Sequence, residues 1–250
     1  MFNTIPPVTR NIILLNVVVY IIANIMPGLY NSLSGFYPFS PNFQSWQIIT
    51  HMFMHAPLAE SGGFMHILFN MFTLWSFGPI LEQALGEKKY LLLYFASGLG
   101  SFFLFNLWNF IEAQQIISGL ENLGLNAAEI YPKAAIGYTG DMNISATTPE
   151  GQELSNQFYT LLRTPMLGAS GAIFGVVTAF ATLYPDSKIA MLFLPIPIKV
   201  KYLMPIVIVI SIWLGVSGNG GGIAHLAHVG GALVGWLLAR NWKKHLYRFN

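Results

Sequence analysis

The chain has 250 residues, 54% of them hydrophobic and 9% charged. Soluble domains carry about 25% charged residues, so a water-facing globule is excluded and an integral membrane protein of one domain, 1–250, is expected. The absence of cysteine excludes disulfide frameworks and thiolate nucleophiles, and a net charge of +2 gives no reason to expect a nucleic-acid partner.

Six apolar stretches are long enough to cross about 30 Å of hydrocarbon. The first covers 11–27; with Arg10 as its only basic flank and no small-x-small site in Ile25-Met26-Pro27-Gly28, it reads as a retained anchor. Residues 28–62 hold no Lys or Arg but include Trp46, Phe53 and Met54, which predicts a partly submerged interfacial loop. His51 and His55 there are four apart, yet Met52-Phe53-Met54 supplies no glutamate for a zinc-protease motif, so loop packing is expected of them.

The second stretch, 63–81, carries His66 and Asn70 one helical turn apart, hence on one face. The third covers 89–111. Residues 112–166, with Glu112, Glu121, Glu129, Asp141, Glu150 and Glu153, predict an exposed loop with one short amphipathic helix around 112–131. The fourth stretch, 167–184, opens on Gly168-Ala169-Ser170-Gly171 and continues through Phe174 and Gly175. After a fifth at 202–217, the sixth, 222–239, contains His225, His228, Gly231 and Gly235, followed by a short tail, 240–250. Arg240, Trp242, Lys243 and Lys244 read as an interfacial anchor.

Lys and Arg orient this all-α, six-helix bundle. Arg10, Lys88, Lys89, Lys188, Lys199, Lys201, Arg240, Lys243, Lys244 and Arg248 fall on one side, and only Lys133 and Arg163 on the other. Both termini are therefore expected to be cytoplasmic, with a bacterial plasma membrane as the expected location. The second, fourth and sixth stretches then run inward from the outside, placing His66, Asn70, Ser170 and His228 at one depth. Polar groups there are costly unless they pair or line a wet cavity, whereas the inner halves of these stretches read as apolar.

A serine hydroxyl becomes nucleophilic when a base takes its proton, and a neutral imidazole suits that task. Ser170 and His228 fit as such a dyad. No carboxylate lies near either one in sequence, and Phe174, one turn past Ser170, is placed to stack on the imidazole. Ser170 at a helix N-terminus, with His66 and Asn70 beside it, would face a developing oxyanion with N–H donors. Gly171 with Gly175, and Gly231 with Gly235, are spaced four apart and predict a close approach of the fourth and sixth helices. His225 is an alternative base, otherwise a residue of the pocket rim.

The runs Gly168-Ala169-Ser170-Gly171-Ala172-Ile173-Phe174-Gly175, His66-Ile67-Leu68-Phe69-Asn70 and Ala227-His228-Val229-Gly230-Gly231 resemble the signatures of rhomboid intramembrane serine proteases. The resemblance implies Ser170 as nucleophile, His228 as general base and acid, and His66, Asn70 and the Ser170 amide as oxyanion donors. It also implies action on transmembrane protein substrates within the lipid bilayer, without cofactor or metal. Two departures stand out: Trp46-Gln47 where many rhomboids have Trp-Arg, and Phe174 where some have Tyr. The loop 112–166 is also longer than a minimal core requires. Two further readings are an inactive rhomboid-like protein that binds client helices and a transporter.

Overall fold

The apolar stretches fold as helices in a computed structural model that describes residues 5–191, 194–217 and 225–246. In chain order these are α1 (Pro7–Ile25), α2 (Gly28–Leu33), α3 (Gln47–Thr50) with a 3-10 turn at His51–Phe53, α4 (Gly63–Leu85) and α5 (Glu87–Asn122). After them come a 3-10 turn at Ala127–Glu129, α6 (Ile130–Lys133), α7 (Pro149–Arg163), α8 (Ser170–Leu183), the hairpin strands β1 (Lys188–Met191) and β2 (Leu194–Lys199), α9 (Val200–Ser217) and α10 (His225–Leu246). The protein is thus a multi-pass, helical membrane protein; the hairpin pairs Lys188 opposite Lys199.

Among the described residues, α1, α4, α5 and α9 are long and apolar enough to cross a membrane. Their outward faces carry large exposed apolar side chains such as Phe103, Val209 and Trp213, the arrangement that lipid rather than water rewards. The fourth stretch is shorter than expected. Residues before Ser170 are extended because Met166 pairs with Gly35, and α8 has 14 residues. At 1.5 Å per residue that is about 21 Å, roughly 9 Å short of the hydrocarbon thickness.

The centre of the bundle is a triangle of α5, α8 and α10 joined through small residues. A Cβ added at Gly231 would stand 1.9 Å from the Gly171 carbonyl oxygen, one at Gly235 2.2 Å from that of Gly175, and one at Gly171 1.9 Å from Ser101 Oγ. Only hydrogen fits at these crossings, which brings the backbones of α8 and α10 into contact.

Two ends of the bundle depart from the sequence expectations. α4 runs past the expected 63–81 to Leu85. Glu82 is buried, and its carboxylate accepts hydrogen bonds from the backbone N–H groups of Val8 (2.8 Å) and Thr9 (2.7 Å) and from Thr9 Oγ1 (2.7 Å). It caps α1 from a neighbouring helix, where the unpaired N–H groups and positive dipole end offset its desolvation. The expected tail is also helix: α10 continues to Leu246, Trp242 is buried beneath Lys89, and Lys243 donates to the carbonyl of Thr182 at the end of α8. Residues 222–224 of the expected sixth stretch and Arg248 lie outside the described residues.

At the opposite end, α5 does not stop at 111. Ala113, Ile116 and Leu120 extend its apolar face at helical spacing and pack with Ile130, Ala134, Phe158, Leu162 and Tyr37 into a second core. The expected loop 112–166 therefore holds the end of α5 together with α6 and α7. Thr148 caps α7 by accepting from the Gly151 N–H at 3.1 Å. A cavity of about 460 Å³ opens between this unit and Tyr37–Phe39.

Candidate active site

Ser170 is the first residue of α8, and the turn before it depends on Gly168. With φ at +120°, Gly168 occupies backbone space that a side chain strains, and its N–H donates to the carbonyl of His51 at 3.0 Å. Ser170 thereby sits where the N–H groups of the first helical turn have no intrahelical acceptor.

His228 enters from the first turn of α10. Its Nε2 lies 2.9 Å from Ser170 Oγ, a distance set by the glycine crossings one and two turns below. With Nε2 accepting the hydroxyl proton, the neutral ring carries its own proton on Nδ1. Phe174 stacks on that imidazole with centroids 4.2 Å apart and planes 1° from parallel, a face-to-face contact that fixes the ring plane. His225 meets His228 edge-on at 6.0 Å; the nitrogen paired with Ser170 belongs to His228.

His66 and Asn70 share a face of α4 but occupy different places. Asn70 lines a cavity of about 290 Å³ together with Ser170, Ile173, Phe174, Val177 and Met204, and its amide donates to the His66 carbonyl at 2.7 Å. The His66 ring stands instead against Gly168, where a Cβ would come within 3.0 Å of both Cε1 and Nε2 and 3.6 Å of Ser170 Oγ. His66 Nδ1 accepts the backbone N–H of Ala56 at 3.2 Å. A neutral ring so engaged presents Nε2–H toward the Ser170 turn.

The imidazoles of His51 and His55 are buried in loop packing. His51 Nδ1–H donates to the Gln47 carbonyl at 2.8 Å, and His55 Nε2 pairs with Asn16 Oδ1 at 2.9 Å. Burial pushes His51 down to about 4 and, with His66 adding to it, His55 down to about 3.

Two polar residues of the 28–62 loop, Gln47 and Asn42, hold the site's frame. Gln47, where the resemblance noted above often has an arginine, is fully buried. Its Oε1 accepts from the N–H groups of Phe36 (3.3 Å) and Gln44 (3.1 Å), while Nε2 donates to the carbonyls of Asn31 and Asn42 (3.3 Å each). Tethering of this loop is neutral rather than ionic. Asn42 joins the loop to the outer unit through Ala134 O (2.9 Å) and the Ile136 N–H (2.7 Å). A polar residue in a loop expected to be partly submerged was the available signal.

The family model described as Rhomboid domain matches residues 42–120 and 133–242. Rhomboid protein 1, mitochondrial, of Saccharomyces cerevisiae is 28% identical over 194 residues, covering 74% of this chain and 41% of that protein. Rhomboid protease GlpG of Salmonella paratyphi A and of Salmonella typhi are each 36% identical over 95 residues, 37% of this chain and 32% of theirs. The chain thus spans less than half the length of each of these relatives.

Proposed function

The chain belongs to the rhomboid family, and from that premise we propose that it is an intramembrane serine endopeptidase with Ser170 as nucleophile and His228 as general base and acid. The observation that carries this reading is the Ser170 Oγ to His228 Nε2 pair at 2.9 Å under a stacked Phe174.

A transmembrane segment of another protein enters from the bilayer. It must unwind locally, because an intact helix encloses its own backbone carbonyls. Its apolar side chain enters the cavity beside Ser170, and Oγ attacks the exposed carbonyl carbon as His228 Nε2 takes the hydroxyl proton. The resulting oxyanion faces the N-terminal N–H groups of α8, with His66 Nε2–H and the Asn70 amide as further donors. Collapse breaks the C–N bond, the leaving amine takes the proton from His228, and an acyl-enzyme remains. Water, activated by the same imidazole, attacks the ester and regenerates Ser170. On this reading the short α8 leaves Ser170 within reach of water from one face. The distribution of Lys and Arg favours an exterior position for that face and cytoplasmic termini.

Ser170→Ala and His228→Ala each abolish cleavage of a reconstituted transmembrane substrate while the fold persists; substantial cleavage surviving either variant overturns the assignment. Asn70→Ala costs up to about 10²-fold to 10³-fold in kcat, as for other oxyanion donors. Failure of the wild type to react with a fluorophosphonate at Ser170 would instead favour client binding without cleavage.

A further inference from the structure

The segment between α3 and α4 is anchored from α1 in a way that bears on His66. Asn16 is fully buried, and its Nδ2 donates to the Ile12 carbonyl at 2.8 Å, so Oδ1 faces His55. An amide oxygen only accepts, hence His55 Nε2 carries the proton in the 2.9 Å contact. Burial and the adjacent His66 depress His55 to about 3, which keeps that ring neutral at working pH. Three residues on, the Leu58 N–H donates to Asn24 Oδ1 at 2.8 Å, and Asn24 Nδ2 donates to the Tyr20 carbonyl at 2.8 Å. Two asparagines of one helix therefore fix the backbone on either side of Ala56.

Ala56 supplies the N–H that engages His66 Nδ1 at 3.2 Å, and the His55 ring meets His66 edge-on at 5.2 Å. Displacing Ala56 would free His66 Nδ1 to take the proton, converting Nε2 from donor to acceptor. An acceptor facing the Ser170 turn would oppose an oxyanion rather than bind it.

We propose that Asn16 and His55 are positioning residues, which hold Ala56 so that its N–H selects the His66 tautomer with a donating Nε2–H. The inference rests on the proposed protease reading for its kinetic consequence, but the tautomer itself is observable without substrate.

The test uses full-length protein labelled with ¹⁵N-histidine in micelles. In the wild type, His66 should show a protonated Nε2 and a bare Nδ1. Asn16→Leu should shift it toward a tautomer mixture and lower kcat about 10-fold to 10²-fold, as for other misplaced catalytic groups, with KM unchanged. His55→Ala should behave alike. His55→Gln, whose side-chain amide can donate to Asn16 Oδ1, should restore both tautomer and rate and serves as the deciding variant if Asn16→Leu does not fold. A wild-type His66 protonated on Nδ1 overturns the inference, as does an unchanged tautomer and kcat in folded Asn16→Leu and His55→Ala, or His55→Gln behaving as His55→Ala. Cleavage that persists in Ser170→Ala would sink the protease reading alone and leave the tautomer result standing.

Discussion

Gln47 shows how a single neutral side chain can order a loop at the membrane surface. Its amide satisfies N–H and carbonyl groups drawn from residues 31 to 44, groups that hydrocarbon would leave unpaired. Gln47→Leu keeps the apolar bulk and removes every one of these bonds. Thermal unfolding in detergent should register a loss of about 2–4 kcal/mol, since each orphaned buried group costs about 1–3 kcal/mol. A change below about 0.5 kcal/mol would show that water replaces the amide. His51, packed against Phe102 with ring centroids 5.2 Å apart, depends on the same loop, and through its carbonyl so does the Gly168 turn.

Pairs of helices decide whether the dyad forms at all. Ser170 and His228 stand at the tops of α8 and α10, whose separation is set by Gly171 against Gly231 and Gly175 against Gly235. A methyl group at Gly231 would stand 1.9 Å from a backbone oxygen that cannot rotate away, so Gly231→Ala forces the two helices apart. Overpacking of this kind costs about 1–3 kcal/mol. Reactivity of Ser170 toward a fluorophosphonate should fall at least about 10-fold in Gly231→Ala protein that remains folded, because the hydroxyl and its base lose hydrogen-bond distance. Wild-type labelling in that variant would mean that the crossing does not set the dyad. The elements beyond the bundle follow the same logic: α5 runs past the membrane because Ala113, Ile116 and Leu120 find partners on α6 and α7.

For the whole molecule, the proposed reading puts the Ser170 end of α8 toward the exterior, on the asymmetry of Lys and Arg. The sequence contains no cysteine, so single substitutions report topology without background. Tyr138→Cys should react with a membrane-impermeant maleimide in intact cells, and Lys244→Cys only after permeabilisation. The reverse pattern would place Ser170 at the cytoplasmic face and exclude hydrolytic water from the outside.

Much of this organisation is legible in the sequence. Apolar length, the order of three short motifs and glycines four apart are local properties, written in contiguous residues, and they determined a helical membrane bundle with Ser170 and His228 as its paired candidates. The helix α7 was legible too, in Thr148-Pro149-Glu150, a start signal that the polarity of 112–166 obscured. What the tertiary structure alone decided is which distant groups meet: Ser170 with a histidine 58 residues away, Glu82 with the start of α1, Asn16 with His55. A hydrogen bond forms within a few tenths of an ångström of one distance, and where the chain returns to within that tolerance depends on every helix crossing in between.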